Sequence, residues 1–357
     1  MKATETLHNV GQSLWLDNIT RDLLTSGTLK RYIDTLSITG LTSNPTIFDH
    51  AISKSAAYDQ DIRALTKSGL AREDLFFRLA MADLQQAADL FRPIHDRTAS
   101  VDGWVSLEVS PLLAYDTQRT VEAASSLHAA AARPNLFIKI PGTKEGAAAI
   151  EEAIFKGVPI NVTLLFSREQ YIAAANAYMR GLERRIASGL SPDVRSVASL
   201  FVSRWDKATM DKLPDSLRDR LGIAIAESTY AYRDLLDSER WQRLENWGAR
   251  TQRLLFASTG TKDPRASDTL YIGALAAPNT INTMPEDTLS HFADHGDVGS
   301  ALPRDGERAS ETLSAIAKAG INLDALAADL QSEGAKSFDE SWADLLKAIE
   351  TKSKALT

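Results

Sequence analysis

The sequence predicts a closed (β/α)₈ TIM barrel, an α/β fold, with additional helices that include a helical C-terminal tail. Short apolar runs exchange regularly with longer amphipathic segments from residue 13 to about residue 284. Strands that are each separated by a helix pair in parallel through right-handed crossovers. The strand count reaches eight, the number that closes a barrel. An open doubly wound sheet is the alternative, and the lack of a G-x-G-x-x-G after the first strand weighs against it.

The first strand is "SLWLD" (13–17), followed by an amphipathic stretch over 22–36. "GLTSN" (40–44) is the second strand, followed by helical spacing over 50–65 and 72–92. "GWVSLEVS" (103–110) and "NLFIKI" (135–140) form the third and fourth strands, with helices over 116–132 and 144–156 after them. "PINVTLL" (159–165) precedes a helix over 168–188, whose segment "SREQYIAAANAYMRGL" has apolar positions at helical spacing. "VASLFVS" (197–203), "RLLFAS" (253–258) and "NTINT" (279–283) complete the eight, with helices over 215–237 and 266–277 between them. Segments 306–319 and 323–350 also read as helices. The whole chain, 1–357, reads as one domain, with the barrel over about 13–284 and a helical extension over about 285–357. The extra helix at 72–92 and the tail are expected to decorate the outside.

Composition narrows the function classes. Hydrophobic residues make up 44% and charged residues 24%, ordinary values for a globular protein with a substantial core. No apolar run approaches the ~20 residues that span a bilayer, so no membrane association is expected. The N-terminus lacks a signal-like apolar stretch, which together with the absence of cysteine leads to an expected cytoplasmic location. Without cysteine, thiol catalysis and thiolate metal sites are excluded. Forty basic against 47 acidic residues give a net charge of −7, which argues against nucleic-acid binding. A locally positive pocket for a small anion remains compatible with that charge.

In a barrel of this kind the active site lies at the C-terminal ends of the strands. Asp17 and Asn44 end the first two strands, and Glu108 lies near the end of the third. Lys139 lies on the fourth strand, Asn161 and Thr163 on the fifth, and Ser199 on the sixth, with Arg204 just beyond it and Ser258 ending the seventh. Lys139 is the most telling, because it stands in "LFIKIPG", where four of the five residues Leu136–Ile140 are large and apolar. Alternation sends Leu136, Ile138 and Ile140 to one face, and Phe137 and Lys139 to the other. Desolvation disfavours the charged ammonium, so this setting favours a neutral, nucleophilic amine. The alternative is a lysine that snorkels to the strand mouth along its apolar stem. Glu108 has no capping role, and its alternative is a buried salt bridge, with Lys139 as one partner. Asp17 also fits as the cap of the helix near Arg21, and Asn44 before Pro45 as a turn pair.

Together these residue types suit imine chemistry. A neutral lysine attacks a ketone, the carbinolamine loses water, and the resulting iminium takes up the electron pair released when a carbon–carbon bond breaks. Each step needs proton transfers, which carboxylates raised toward neutrality supply directly or through a held water. Glu108 and Asp17 are the candidates, and Thr163 is placed to hold the water that Glu108 uses. The imine is its own electron sink, so no cofactor and no metal are expected. "FASTGTKD" adds Ser258, Thr259, Gly260 and Lys262 after the seventh strand, and with Arg204 they suit a phosphate. A solvated helix-capping turn is the alternative for that segment. His291 and His295 stand four apart in "HFADH" but have no third ligand nearby, so they read as surface residues.

"LWLDN", "GLTSNPTIF", "SLEVSP", "LFIKIPGTKEG", "INVTLLFS", "SLFVSRWD" and "FASTGTKDP" together resemble the transaldolase family, in its longer bacterial branch. The motifs lie in family order from Leu14 to about Met284. The resemblance implies a Schiff-base transferase of the pentose phosphate pathway that moves a dihydroxyacetone unit from a ketose phosphate to an aldose phosphate. It implies the Schiff-base lysine at Lys139, the water-holding pair at Glu108 and Thr163, and the acid/base at Asp17. It implies hydroxyl binders at Asn44 and Asn161, with Ser199 near the same carbons, and phosphate binders at Arg204 and Ser258. Another branch carries arginine where this chain has Gly260, so Lys262 is assigned to phosphate by proximity. Phe201 stands where related fructose 6-phosphate aldolases carry tyrosine, which favours transfer over simple cleavage. The alternatives are an aldolase that releases free dihydroxyacetone and a non-catalytic sugar-phosphate-binding barrel. Sugar phosphates are the expected partners, and the expected state is monomer or homodimer.

Overall fold

The computed structural model of the chain describes residues 2–230 and 232–356. Eight parallel strands close into a barrel in sequence order, with β1 (Ser13–Asp17) bonded to both β2 (Ile38–Thr42) and β8 (Ile281–Met284). Between them run β3 (Trp104–Glu108), β4 (Leu136–Pro141), β5 (Ile160–Leu165), β6 (Ser196–Phe201) and β7 (Arg253–Ala257). The expected fold class is therefore the one observed.

Several boundaries moved, each for a local reason. The second strand ends at Thr42 and not at residue 44, because Asn44 caps the helix Pro45–Lys54 by accepting from the Ile47 N–H, with Pro45 at the first helical position. The eighth strand begins at Ile281 because Asn279 takes a left-handed φ of 66°. The helix expected over 22–36 breaks at Gly27, whose φ of 78° gives two helices, Arg21–Thr25 and Thr28–Leu36. The pattern over 215–237 resolves into Leu221–Tyr230 and Arg233–Leu236. Helix Glu239–Asn246 was not expected, and the helical extension expected from about residue 285 begins with the helix Glu286–His295.

The barrel interior is filled in layers. At the base, the Trp104 and Phe137 rings stack 4.0 Å apart, and Trp15 lies 6.3 Å from Phe137. Trp15 fits only because its neighbour on β2 is Gly40; a Cβ there would come within 2.5 Å of the indole. The Trp15 indole N–H donates to Asp102, which holds the ring in place. Outside the strands, apolar residues such as Leu136, Ile138 and Ile140 are fully buried beneath the helices. No helix among the described residues is long and apolar enough to cross a membrane.

The C-terminal tail departs from the expectation of an outer decoration. Its helix, Leu323–Leu356, crosses the barrel mouth, with Phe338 reaching into the cavity there. An aromatic cluster anchors the helix: Trp342 meets Phe76 edge-on at 5.0 Å, and Phe76 meets Phe48 at 5.3 Å. Lys352 adds an ion pair to Asp59 at 2.7 Å, and Arg72 pairs with Glu350. A helix with apolar positions on more than one side has to bury both, and here the mouth of the barrel and the helix Pro45–Lys54 receive it.

Candidate active site

The register of the barrel sets Glu108, Lys139 and Asn161 side by side on β3, β4 and β5. Each points inward because its strand alternates apolar residues outward. The Lys139 ammonium donates to the Ser43 carbonyl at 3.0 Å and to Glu108 Oε2 at 3.4 Å. Both side chains are nearly closed off from solvent, at 6% and 5% exposed. Burial raises the Glu108 carboxyl above the usual glutamate range, with Lys139 opposing and Asp17 reinforcing that shift. The second Glu108 oxygen, Oε1, and Thr163 Oγ1 are buried and have no hydrogen-bond partner among the described residues.

Asp17 opens on the same cavity from the end of β1. Its depth in the barrel mouth raises its pKa, against the attraction of Lys139 and a hydrogen bond from Thr42. Thr42 Oγ1 donates to Asp17 at 2.7 Å and lies 2.6 Å from Thr283 Oγ1. With the Thr42 hydrogen committed to the carboxylate, Thr283 becomes the donor to Thr42. The two carboxyls therefore approach the lysine from different strands in different company: Glu108 with a bare oxygen, Asp17 with a hydroxyl relay.

Beside Lys139, a polar cluster centres on Asn161. Ser199 donates to Asn161 Oδ1 at 2.7 Å, and Asn161 Nδ2 donates to Ser106 Oγ at 3.1 Å. Asn161 is wholly buried there, whereas Ser199 also lines the cavity. Asn44 lines the cavity as well while its Oδ1 caps the helix Pro45–Lys54, which leaves the amide N–H₂ for other partners.

The cationic side of the cavity follows β6 and β7. The Arg204 guanidinium lies 5.4 Å over the Phe201 ring, and both residues line the cavity. Burial pulls the Arg204 pKa down, and partial desolvation of the ammonium at the exposed rim pulls that of Lys262 down, with the nearby Lys207 and Arg204 adding to it. Among the described residues neither Arg204 nor Lys262 has a hydrogen-bonded or ion-paired partner, which leaves both charges for an anion. Ser258 has a left-handed φ of 55°, and its hydroxyl lies 3.0 Å from that of Ser203. At Gly260 a Cβ would lie 3.7 Å from the Lys262 Nζ, so a long side chain at 260 would take the space in which the lysine tip lies. Thr259 is turned inward instead, donating to Asn282 and to the Thr283 carbonyl.

Asp17, Asn44, Lys139, Thr163, Ser199, Phe201, Arg204, Ser258 and Lys262 thus share one cavity of about 260 Å³. Glu108 and Asn161 sit just beneath its floor. Sequence reasoning missed Thr42, Thr283 and Phe338 on its wall, and the Ser43 carbonyl. The first two had a signal, because counting by twos from Gly40 or Ile281 places them inward. His291 and His295 do not line this cavity: both are half-exposed and share Asp268 at 3.1 and 2.9 Å.

Comparison with known proteins finds similarity over nearly the whole chain. A family model described as transaldolase/fructose-6-phosphate aldolase matches residues 14–349. "Transaldolase 2" of Streptomyces coelicolor is 43% identical, over 99% of this chain and 98% of its own length. "Transaldolase" of Saccharopolyspora erythraea is 44% identical, over 97% of this chain and 96% of its own. "Transaldolase 2" of Nostoc punctiforme is 40% identical, over 97% and 96%.

Proposed function

The chain belongs to the transaldolase/fructose-6-phosphate aldolase family, and from that premise we propose that it is a transaldolase working through an imine on Lys139. The observation that carries this reading is the buried Lys139 amine 3.4 Å from Glu108 at the floor of a cavity with two unpaired cations at its rim. Glu108 is the base nearest the ammonium, and burial makes it a stronger base than an ordinary glutamate. It takes the proton, and the freed amine attacks the ketose carbonyl carbon. The carbinolamine oxygen leaves as water after protonation. Glu108 Oε1 and Thr163 Oγ1, both buried without a protein partner, suit a water molecule that carries these protons.

Asp17 then removes the proton from the hydroxyl on the far carbon of the bond that breaks. The carbon–carbon bond electrons flow into the iminium, an aldose phosphate leaves, and a dihydroxyacetone enamine stays on Lys139. The Thr283–Thr42 relay holds Asp17 toward that hydroxyl. Addition of the enamine to an acceptor aldehyde and hydrolysis of the imine run the same steps in reverse. Asn44 and Asn161, with Ser199, serve the hydroxyls of the three-carbon unit. Arg204, Ser258 and Lys262 serve the phosphate. Phe201 offers an apolar wall without a hydroxyl to steer water onto the enamine, which favours transfer over release.

Sedoheptulose 7-phosphate or fructose 6-phosphate as donor, glyceraldehyde 3-phosphate or erythrose 4-phosphate as acceptor, a cytoplasmic location and a monomer or homodimer complete the reading. The test is turnover of fructose 6-phosphate with and without erythrose 4-phosphate. Transfer requires the acceptor; equal turnover without it makes the protein a free aldolase.

A further inference from the structure

The helix Leu323–Leu356 does more than cover the barrel mouth. Gln331 Nε2 donates to two carbonyls at once, that of Gly142 at 3.0 Å and that of Leu164 at 2.9 Å. Gly142 follows the last residue of β4, the strand of Lys139; Leu164 follows Thr163 on β5. The same seam carries a bond from the Gly142 N–H to the Thr163 carbonyl at 2.7 Å. One side-chain amide therefore ties together the ends of the two strands that bear the imine lysine and the water-holding threonine.

Leu164 is where a tie is needed. Its φ of 58° is left-handed, a conformation that costs a branched residue about 1–3 kcal/mol unless its surroundings impose it. The register of β5 against β6 shifts between Val162 and Leu165, so a bulge sits beside Thr163. Successive strand residues face opposite sides, so a relaxed bulge turns Thr163 out of line with Glu108. The helix also approaches closely enough to hold Leu164 by contact. Three residues past Gln331, on the same helix face, stands Gly334, where a Cβ would lie 3.0 Å from Leu164 Cδ2 and 3.6 Å from an Arg204 Nη1. A mid-helix glycine is otherwise unfavourable by about 1 kcal/mol, and close docking on the bulge accounts for it.

We infer that Gln331 is a positioning residue for the imine chemistry: its amide locks the β4–β5 seam and the Leu164 bulge, and so aims Thr163 at the water shared with Glu108. Gln331 does not line the cavity that holds Lys139 and Thr163. The inference rests on the reading of Lys139 as the imine-forming lysine.

Gln331→Met keeps the length and removes the donors, whereas Gln331→Lys keeps donors at similar reach. We expect Gln331→Met to lower kcat about tenfold, within the range that small misplacement produces, and to leave KM within about twofold. Trapping of the fructose 6-phosphate imine by borohydride slows in proportion, and Gln331→Lys recovers most of that rate. Equal rates in Gln331→Met and wild type overturn the inference. So do losses in the Met and Lys variants that merely follow their melting temperatures. The wild-type trapping reaction separates the two levels: no adduct on wild-type Lys139 removes the underlying reading, while a normal adduct with an unaffected Gln331→Met removes only the role of Gln331.

Discussion

Lys139 Nζ lies 3.4 Å from Glu108 Oε2, closer in register than any other carboxylate and cut off from solvent with it. A buried ion pair is weak evidence for stability, because desolving both charges offsets their attraction. It is a good arrangement for proton transfer, since the base already faces the proton that must leave.

Glu108→Gln keeps the shape and a hydrogen-bond acceptor but removes the base. Single-turnover imine formation should slow by about 10²- to 10³-fold, the range for a lost general base, with KM changed by no more than a few fold. Equal losses in binding and rate would instead make Glu108 a structural partner of the lysine.

Thr163→Val removes a buried hydroxyl that has no protein partner and keeps the shape of the side chain. The dehydration and hydrolysis steps should slow by about tenfold or more if that hydroxyl orients a water, while Thr163→Ser stays near wild type. Matching rates for Val and Ser would show that the hydroxyl does nothing.

The activity profile should carry the displaced carboxyls. Glu108 must be ionised to accept a proton, and burial raises its pKa from 4.5, so the acid limb of kcat/KM lies above the ordinary glutamate range. Glu108→Gln should remove that limb or move it to a second group. A limb unchanged in this variant would assign it elsewhere, with Asp17, also raised, the next group to test.

Arg204 and Lys262 should act on affinity for phosphorylated substrates. Arg204→Ala should raise KM for fructose 6-phosphate by about 10- to 100-fold, as expected for a lost charge-assisted bond. Lys262→Ala, at the exposed rim, should raise it less. Turnover of unphosphorylated fructose should change little in either, and a parallel loss on that sugar would deny them the phosphate role.

Asp206 gives a stability prediction. It caps the helix Leu221–Tyr230 through the Leu221 and Gly222 N–H groups and accepts from Tyr271, yet burial raises its pKa from 3.8 to about 6. The folded chain therefore holds this proton more tightly than the unfolded chain. Its contribution to stability is full below about pH 4 and is lost as pH rises to about 6, a change of about 3 kcal/mol. Urea unfolding at pH 4 and 7 should show that loss in wild type relative to Asp206→Asn. Parallel curves for the two proteins would contradict it.

The parts of the fold that were legible in the sequence are those written as periodicity. Eight apolar runs, seven of them with a polar residue near the mouth, locate the barrel and most of its inward positions, Lys139 and Glu108 above all. What alternation cannot supply is competition between local signals: at Asn44 the helix cap outweighs the strand, and at Asn279 a left-handed turn delays one. Tertiary docking was equally out of reach. The pattern over 323–350 says that a helix must bury two faces, not that one of them closes the barrel mouth. Gly334 in an otherwise strong helix was the available hint of a close approach.

Borohydride reduction in the presence of fructose 6-phosphate, followed by peptide mass mapping, tests the central claim most directly. The mechanism predicts one dihydroxyacetone-derived adduct, carried on Lys139. An adduct on another lysine, or none while turnover continues, would contradict it.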